Sequence, residues 1–292
     1  MKYLKKIIAV IGIICSLPIF LVGCGTAVYK YDRADEYNVG ATKLDESEIN
    51  NLYVNWIDGS VKIIIDSEVE TIVIEESSKK ALKDDDYLRY LCEDGTLTIM
   101  YRKSDPKKIS VSKKKNLVIK LPRETSILKK LNIKTISSDV EINGVNVEES
   151  KVETTSGRTE MVNCCVSNTI IETTSGNIKL GGGALFDVNI KSVSGGVYAE
   201  QFVNNKMTVD TVSGSTIVCY DGGHPVNVGI KSKSGNVTVK LPESISGFTL
   251  NTNTTVGIVS SEFALSINNV YGDGSKKINV TTVSGAINIK KI

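Results

Sequence analysis

The chain carries a single histidine among its 292 residues, the side chain most suited to proton transfer near neutral pH. His224 lies in Asp221-Gly222-Gly223-His224-Pro225, where Gly-Gly and His-Pro dictate a turn. A nucleophilic triad built on it needs a serine in a strand-to-helix elbow, and no serine has that context. Ser156, Ser175, Ser194 and Ser213 each precede a glycine on a fixed spacing, which makes them bend residues, not nucleophiles. His224 therefore reads as a solvated loop residue. Glycoside cleavage needs two carboxyls roughly 5 to 9 Å apart around a cleft. Glu141, Glu153, Glu160 and Glu172 share one outward parity, and neighbouring repeats can supply that distance. Nothing distinguishes such a pair from a charged surface, and no catalytic residue is assigned.

Metal chemistry finds as little support. Asp84-Asp85-Asp86 is the compact carboxylate run, but a calcium loop wants ligands at alternate positions and a glycine at its sharp turn. The run suits a helix N-terminus leading into Tyr87, Leu88 and Leu91, where acids oppose the helix dipole. Beyond Cys24, the cysteines are Cys92, Cys164, Cys165 and Cys219, with no zinc-site spacing. Cys164 and Cys219 fall in repeats about 14 Å apart at strand spacing, whereas a disulfide needs Cα atoms within about 7 Å. Buried or half-buried free thiols are expected. No metal or cofactor is implied.

The elements that position these residues are repeats. Gly157, Gly176, Gly195 and Gly214 follow one another at intervals of 19 residues, with Ser138 one interval earlier. Five residues before each bend lie Ile133, Val152, Ile171, Ile190, Val209 and Ile230; four after it lie Ile142, Met161, Leu180, Ala199, Val218 and Val239. The register extends to Val54 and Ile63 around Gly59, to Leu250 and Val259 around Thr255, and to Val280 and Ile289 around Gly285. Within a unit apolar residues alternate, the two-residue period of a strand with one buried face. One unit cannot bury that face alone, but units stacked in register at about 4.8 Å close a continuous interior. The expectation is an all-β, single-chain parallel β-solenoid (β-helix) of about nine coils. Thr135, Thr154, Thr173, Ser192, Thr211, Ser232 and Thr252 share the inward parity three residues before the bend. They are expected to pair with one another and tighten it.

Upstream, Lys2, Lys5 and Lys6 precede an apolar run from Ile7 to Leu21, the pattern of a secretory leader and too short for a stable membrane helix. It ends in Leu21-Val22-Gly23-Cys24-Gly25, which resembles the lipobox of bacterial lipoproteins. That resemblance implies cleavage after residue 23 and diacylation of Cys24, and two acyl chains suffice for stable anchoring. The chain divides into a leader at 1–23, lipidated Cys24 and a tether at 24–50, an irregular N-terminal β region at 51–130 and the repeat solenoid at 131–292. Trp56 stands where later units have Thr or Ser, and is expected to cap the open end of the stack. Residues 268–276, Asn-Asn-Val-Tyr-Gly-Asp-Gly-Ser-Lys, form an insertion expected to project as a flexible hairpin.

The formal charge of +2 belongs to the leader. Without residues 1–23 there are 32 basic and 33 acidic residues, a net of about −1. No basic stripe with interleaved aromatics appears, which argues against nucleic acid as a partner. Lys113-Lys114-Lys115, with Lys107 and Lys108, reads as a solvated loop able to touch anionic lipid or wall polymer.

With TTSGNIKL, KSVSGGVYA, DTVSGS and KSKSGNVTVKLP beside NWIDGSVKI and DGTLTIMY, the chain resembles the DUF4097 family of adhesin-like proteins from about Leu52 to Ile292. The resemblance implies a β-solenoid of the bacterial envelope and carries over no functional residue, because the shared motif is architectural. Departures are Ser138 and Thr255 in place of glycine and the insertion before the last unit. The resulting expectation is a lipoprotein lipid-anchored to the outer face of the bacterial cytoplasmic membrane. Its solenoid acts as a non-catalytic, adhesin-like interaction module whose partner is an envelope protein or a wall polymer. The alternatives are a polysaccharide-active β-helix enzyme and a passive structural spacer.

Overall fold

A computed structural model of the protein describes residues 28–44, 49–108, 113–123, 128–200, 203–220 and 227–292. The leader, Cys24 and His224 lie outside the described residues, as do the side chains of Lys107 and Lys108.

The alternation produces the parallel ladder it implies. Ile133 pairs with Val152, Val152 with Ile171, Ile171 with Ile190, Ile190 with Val209, and Val209 with Ile230. Beyond the bend, Ile142, Met161, Leu180, Ala199, Val218 and Val239 stack in the same order. All of these side chains are buried. Full burial of each large aliphatic one contributes about 1.5–3 kcal/mol, which drives stacking that no single unit could sustain. The fold is an all-β parallel solenoid. The helices among the described residues are two three-residue 3-10 turns, Ala34–Glu36 and Asp84–Asp86. The helix expected after Asp84 is therefore a single tight turn. The chain enters the strand Arg89–Glu93 directly, where Tyr90 and Leu91 pair across an antiparallel ladder with Ile99 and Thr98.

The bend requires glycine because levels approach closely there. A Cβ on Gly195 would lie 1.8 Å from the carbonyl oxygen of Gly176, and one on Gly176 2.0 Å from that of Gly157. The inward hydroxyls act beside it as expected. Thr135 bonds Thr154 at 2.9 Å, Thr173 accepts the Gly176 N–H at 2.8 Å, and Ser192 accepts that of Gly195 at 2.9 Å.

The order of levels departs from chain order at both ends. The strand Asn51–Asp66 lies directly against Leu128–Asn143, with Val54 on Ile133 and Gly59 on Ser138. The intervening segment returns to form a further level on the opposite edge, where Thr96–Met100 and Lys115–Pro122 run parallel to Asn51–Asp66. Antiparallel strands Ile72–Ser78 and Arg89–Glu93, then Thr42–Leu44 and Asn38–Val39, close that end. Trp56 is fully buried beneath this extra level, so it fills the interior and does not cap an open end.

At the other end, Lys276–Ser284 and Ile287–Lys291 insert between two earlier levels. They pair with Asn227–Ser234 and Val237–Leu241 on one side and with Gly247–Val256 and Val259–Ser261 on the other. Here the register expected around Thr255 is corrected. Leu250 faces Ile278, Thr254 faces Thr282 through a 2.8 Å hydroxyl bond, and Gly257, not Thr255, stacks on Gly285. Thr252 accordingly lies outside the hydroxyl ladder. The insertion at 268–276 does not project. Val270–Gly272 pairs antiparallel with Gly247–Thr249, and Tyr271 packs on Phe248 and Phe263 with ring centroids 5.6 and 4.9 Å away.

Candidate functional site

The outward acids are engaged in ion pairs, three of them between levels and Glu153 with Lys151 within one strand. Glu141 meets Lys62 at 2.8 Å, Glu153 meets Lys151 at 3.0 Å, Glu160 meets Lys179 at 2.7 Å, and Glu172 meets Lys191 at 2.9 Å. Hydrogen bonds from Lys179 and Lys191 hold the Glu160 and Glu172 carboxyls below the usual carboxylate range. A glycosidase acid must keep a proton near neutral pH, and these two carboxylates cannot. The hydroxyl ladder is equally unavailable to ligands, since Thr135, Thr154, Thr173, Ser192, Thr211 and Ser232 are all buried.

Cys164 is buried and Cys165 is exposed, both as free thiols, while Cys92 and Cys219 are half-buried. Exposure of Cys165 corrects the expectation of burial. Its neighbour takes the inward place in the strand Thr159–Thr173, so alternation turns Cys165 outward. Burial pushes the Cys164 thiol up to about 11. Among the described residues no three His, Cys, Asp or Glu side chains gather in a metal-binding group.

Two grooves run along the outer surface of the strands that precede the bend. The first, about 620 Å³, is built on one column of register partners: Tyr53, Asn132, Lys151, Ile170, Asn189 and Thr208. Successive members stand one strand spacing apart, about 4.8 Å. They present an aromatic ring, two amides, an ammonium, an exposed aliphatic patch and a hydroxyl. The Lys130–Glu149 pair at 3.4 Å flanks the column, as does Asp187, which accepts an Asn205 amide bond at 2.6 Å. The second groove, about 570 Å³, lies nearer the bend and combines the Glu172–Lys191 pair with exposed Val193 and Val212. Neither groove contains a nucleophile beside a base. Both offer hydrogen-bonding groups at a regular repeat along an open track.

The sequence reading missed an ion pair inside the closed end. Lys115, expected in a solvated loop, is 1 % exposed, and its Nζ lies 2.6 Å from Oε1 of Glu76, itself 2 % exposed. The same ammonium donates to the Asp86 carbonyl at 2.5 Å and to the Tyr101 carbonyl. It stands 4.1 Å from the centroid of the Tyr101 ring and 4.9 Å from that of Trp56. Trp56 in turn donates its indole N–H to the Lys115 carbonyl at 3.0 Å, and Glu76 accepts the Leu88 N–H at 3.1 Å. Burial pushes the Lys115 ammonium down to about 8, against the attraction of Glu76. Parity held the signal: Lys115 shares the inward face of Leu117, Ile119 and Leu121. Enclosure makes this cluster a fastening for the end of the stack, not a ligand site.

The sequence profile of the Toastrack DUF4097 family matches residues 44–290. The chain belongs to this family. Two solved structures are similar to this Toastrack chain at low identity. One is a candidate cell adhesion protein from Clostridium sporogenes ATCC 15579, 16% identical over 88% of this chain and 100% of its own, with a TM-score of 0.31. The other is a candidate adhesin from Bacteroides fragilis NCTC 9343, 13% identical over 87% of this chain and 97% of its own, with a TM-score of 0.46. No curated protein matches the chain.

Proposed function

We propose that this Toastrack protein is a non-catalytic binding module of the bacterial envelope, held at the outer face of the cytoplasmic membrane through Cys24, and that its first groove takes an extended, hydroxyl-rich wall polymer. The observation that carries the reading is the column from Tyr53 to Thr208. Its side chains, five of the six able to hydrogen-bond, stand at strand spacing beginning from an aromatic ring, regularly placed contacts suited to an extended ligand. Ionised, ion-paired Glu160 and Glu172 support binding over cleavage. Anchoring rests on the lipobox-like Leu21-Val22-Gly23-Cys24.

Sedimentation of the full chain with purified wall polymer tests the reading. Wild type is expected in the pellet. Tyr53→Ala with Asn132→Ala and Asn189→Ala is expected to lower the bound fraction about tenfold, the loss of roughly 1.4 kcal/mol of contact. Equal binding by the triple variant, or release of polymer fragments, overturns it. For the anchor, wild type partitions into detergent and Cys24→Ser stays in the aqueous phase.

A further inference from the structure

The two ends of the stack are finished differently. The Trp56 end terminates in the short strands Asn38–Val39 and Thr42–Leu44, with Lys43 on the edge and antiparallel pairing on the strands beneath. Short, charged edges of this kind resist further pairing. The opposite end terminates in the level containing Gly247–Val256 and Val259–Ser261. Its outer edge is covered only at its start, where Val270–Gly272 pairs with Gly247–Thr249 and Leu250 donates its N–H to Asn269 at 2.9 Å. From Asn251 to Ser261 no strand among the described residues lies beyond it.

The backbone hydrogen bonds show what that edge offers. Gly214, Gly235 and Gly285 each donate an N–H to the next level, to Ser234, Ser284 and Val256 at 3.2, 3.0 and 3.1 Å. Thr216, Val237 and Ile287 do the same to Asn236, Ala286 and Ile258, each at 2.9 Å. The register passes the next donors to Gly257 and Val259, where the relay stops. The side chains do nothing to guard it. Asn251 to Ser261 reads Asn-Thr-Asn-Thr-Thr-Val-Gly-Ile-Val-Ser-Ser, without a charge or a proline. Val256, Ile258 and Val259 are 67, 75 and 41 % exposed. A long, uncharged edge with exposed aliphatic side chains is a template for another strand.

We propose that this edge is a self-association surface on which a second copy of the chain pairs, end to end about a two-fold axis. Three observations select that occupant. The strip is neutral in a chain whose residues are 23% charged, so it is complementary to itself and gives a charged partner no advantage. An isologous contact runs the two edges antiparallel, the sense in which Val270–Gly272 already extends this edge. The opposite end is sealed, so head-to-tail stacking into a filament has no acceptor and the assembly closes at two copies.

Analytical ultracentrifugation of the full chain in detergent, over a dilution series, tests the pairing. Wild type is expected to form a dimer that dissociates on dilution. Val256→Lys with Ile258→Lys, at exposed positions, places like charges opposite one another and is expected to weaken the dimer about tenfold or more while the far-ultraviolet circular dichroism stays unchanged. The companion variant Val256→Glu with Ile258→Glu should also be monomeric, and mixing the two variants should restore a dimer containing one of each. A wild-type monomer up to about 100 μM, an undiminished lysine-variant dimer, or failure of the mixture to pair overturns the proposal. So does capture of another protein's strand by this edge while the chain itself stays monomeric.

Discussion

Replacing Glu76 with Gln removes the carboxylate from a pair whose side chains are 1 % and 2 % exposed. The Lys115 ammonium then keeps its two carbonyl acceptors and two aromatic faces but loses the charge that compensates its desolvation. Stranding one partner of a buried pair costs about 3–5 kcal/mol, a large part of a typical domain's stability. Exchanging both partners, Glu76→Leu with Lys115→Met, should cost much less, because apolar replacements of similar volume often balance a buried pair. The same site sets a pH dependence. Burial lowers the folded-state value for Lys115 from 10.5 to about 8, so between these values the unfolded chain binds the extra proton and stability rises with pH. Integrated from pH 8 to pH 10, the rise is about 2 kcal/mol. Other buried groups oppose this rise. The Cys164 thiol, pushed up from 9 to about 11, and Tyr29, Tyr31, Tyr101 and Tyr220, all raised above 10, lose their protons first in the unfolded chain. Their contribution is therefore lost from about pH 9 and pH 10 upward, and the Lys115 contribution is read as the difference between wild type and the double variant. Urea denaturation of wild type, E76Q and the double variant at pH 7, 8, 9 and 10 measures these effects. A cost below about 1 kcal/mol for E76Q, or a wild-type profile from pH 8 to 10 that runs parallel to that of the double variant, refutes the reasoning.

Gly195→Ala should destabilise the solenoid by several kcal/mol, as its Cβ would meet the Gly176 carbonyl at 1.8 Å, whereas Gly196→Ala, whose nearest contact is 3.5 Å away, should change the denaturation free energy by less than about 1 kcal/mol. Thiol labelling followed by peptide mapping should find Cys165 modified in the native protein. Cys164, buried with its thiol pushed up to about 11, should react only after unfolding; native labelling at both sites with equal rates would show the interior to be open.

The central levels were legible because one signal decides them. A 19-residue spacing with alternating apolar residues leaves Ile133, Val152 and Ile171 a single way to share an interior, and the ladder follows. The terminal register was not legible for a reason rooted in the same period. Sliding the Leu250 level by two residues keeps every inward side chain inward, so alternation cannot separate Thr255 from Gly257 as the bend. Only the close approach over Gly285 does so, at 2.2 Å from a Cβ on Gly257. Lys115 was misplaced through composition: three consecutive lysines suggest water, yet the third opens the strand Lys115–Pro122 on the inward parity of Leu117 and Ile119. The grooves were invisible as grooves because Tyr53 and Asn132 lie far apart in sequence and meet through pairing across an intervening excursion.

The counterpart of that excursion at the other end has an energetic effect. In a linear array the last repeat holds one interface and releases a free tail when it opens, so arrays fray from their ends. Here the outermost level at the Gly247–Ser261 end is not the last in chain order. The level at Gly247–Ser261 is bounded by Leu241 and Lys276, both held in inner levels, and Ile292 donates its N–H to Leu241 at 3.0 Å. Opening the outermost level therefore yields a closed loop with less entropy than a tail of the same length, while closing the loop in the first place costs only a term logarithmic in its length. The folded-back level thus suppresses fraying at small cost, and this leaves the backbone edge from Asn251 to Ser261 in place as a fixed, paired-on-one-side strand.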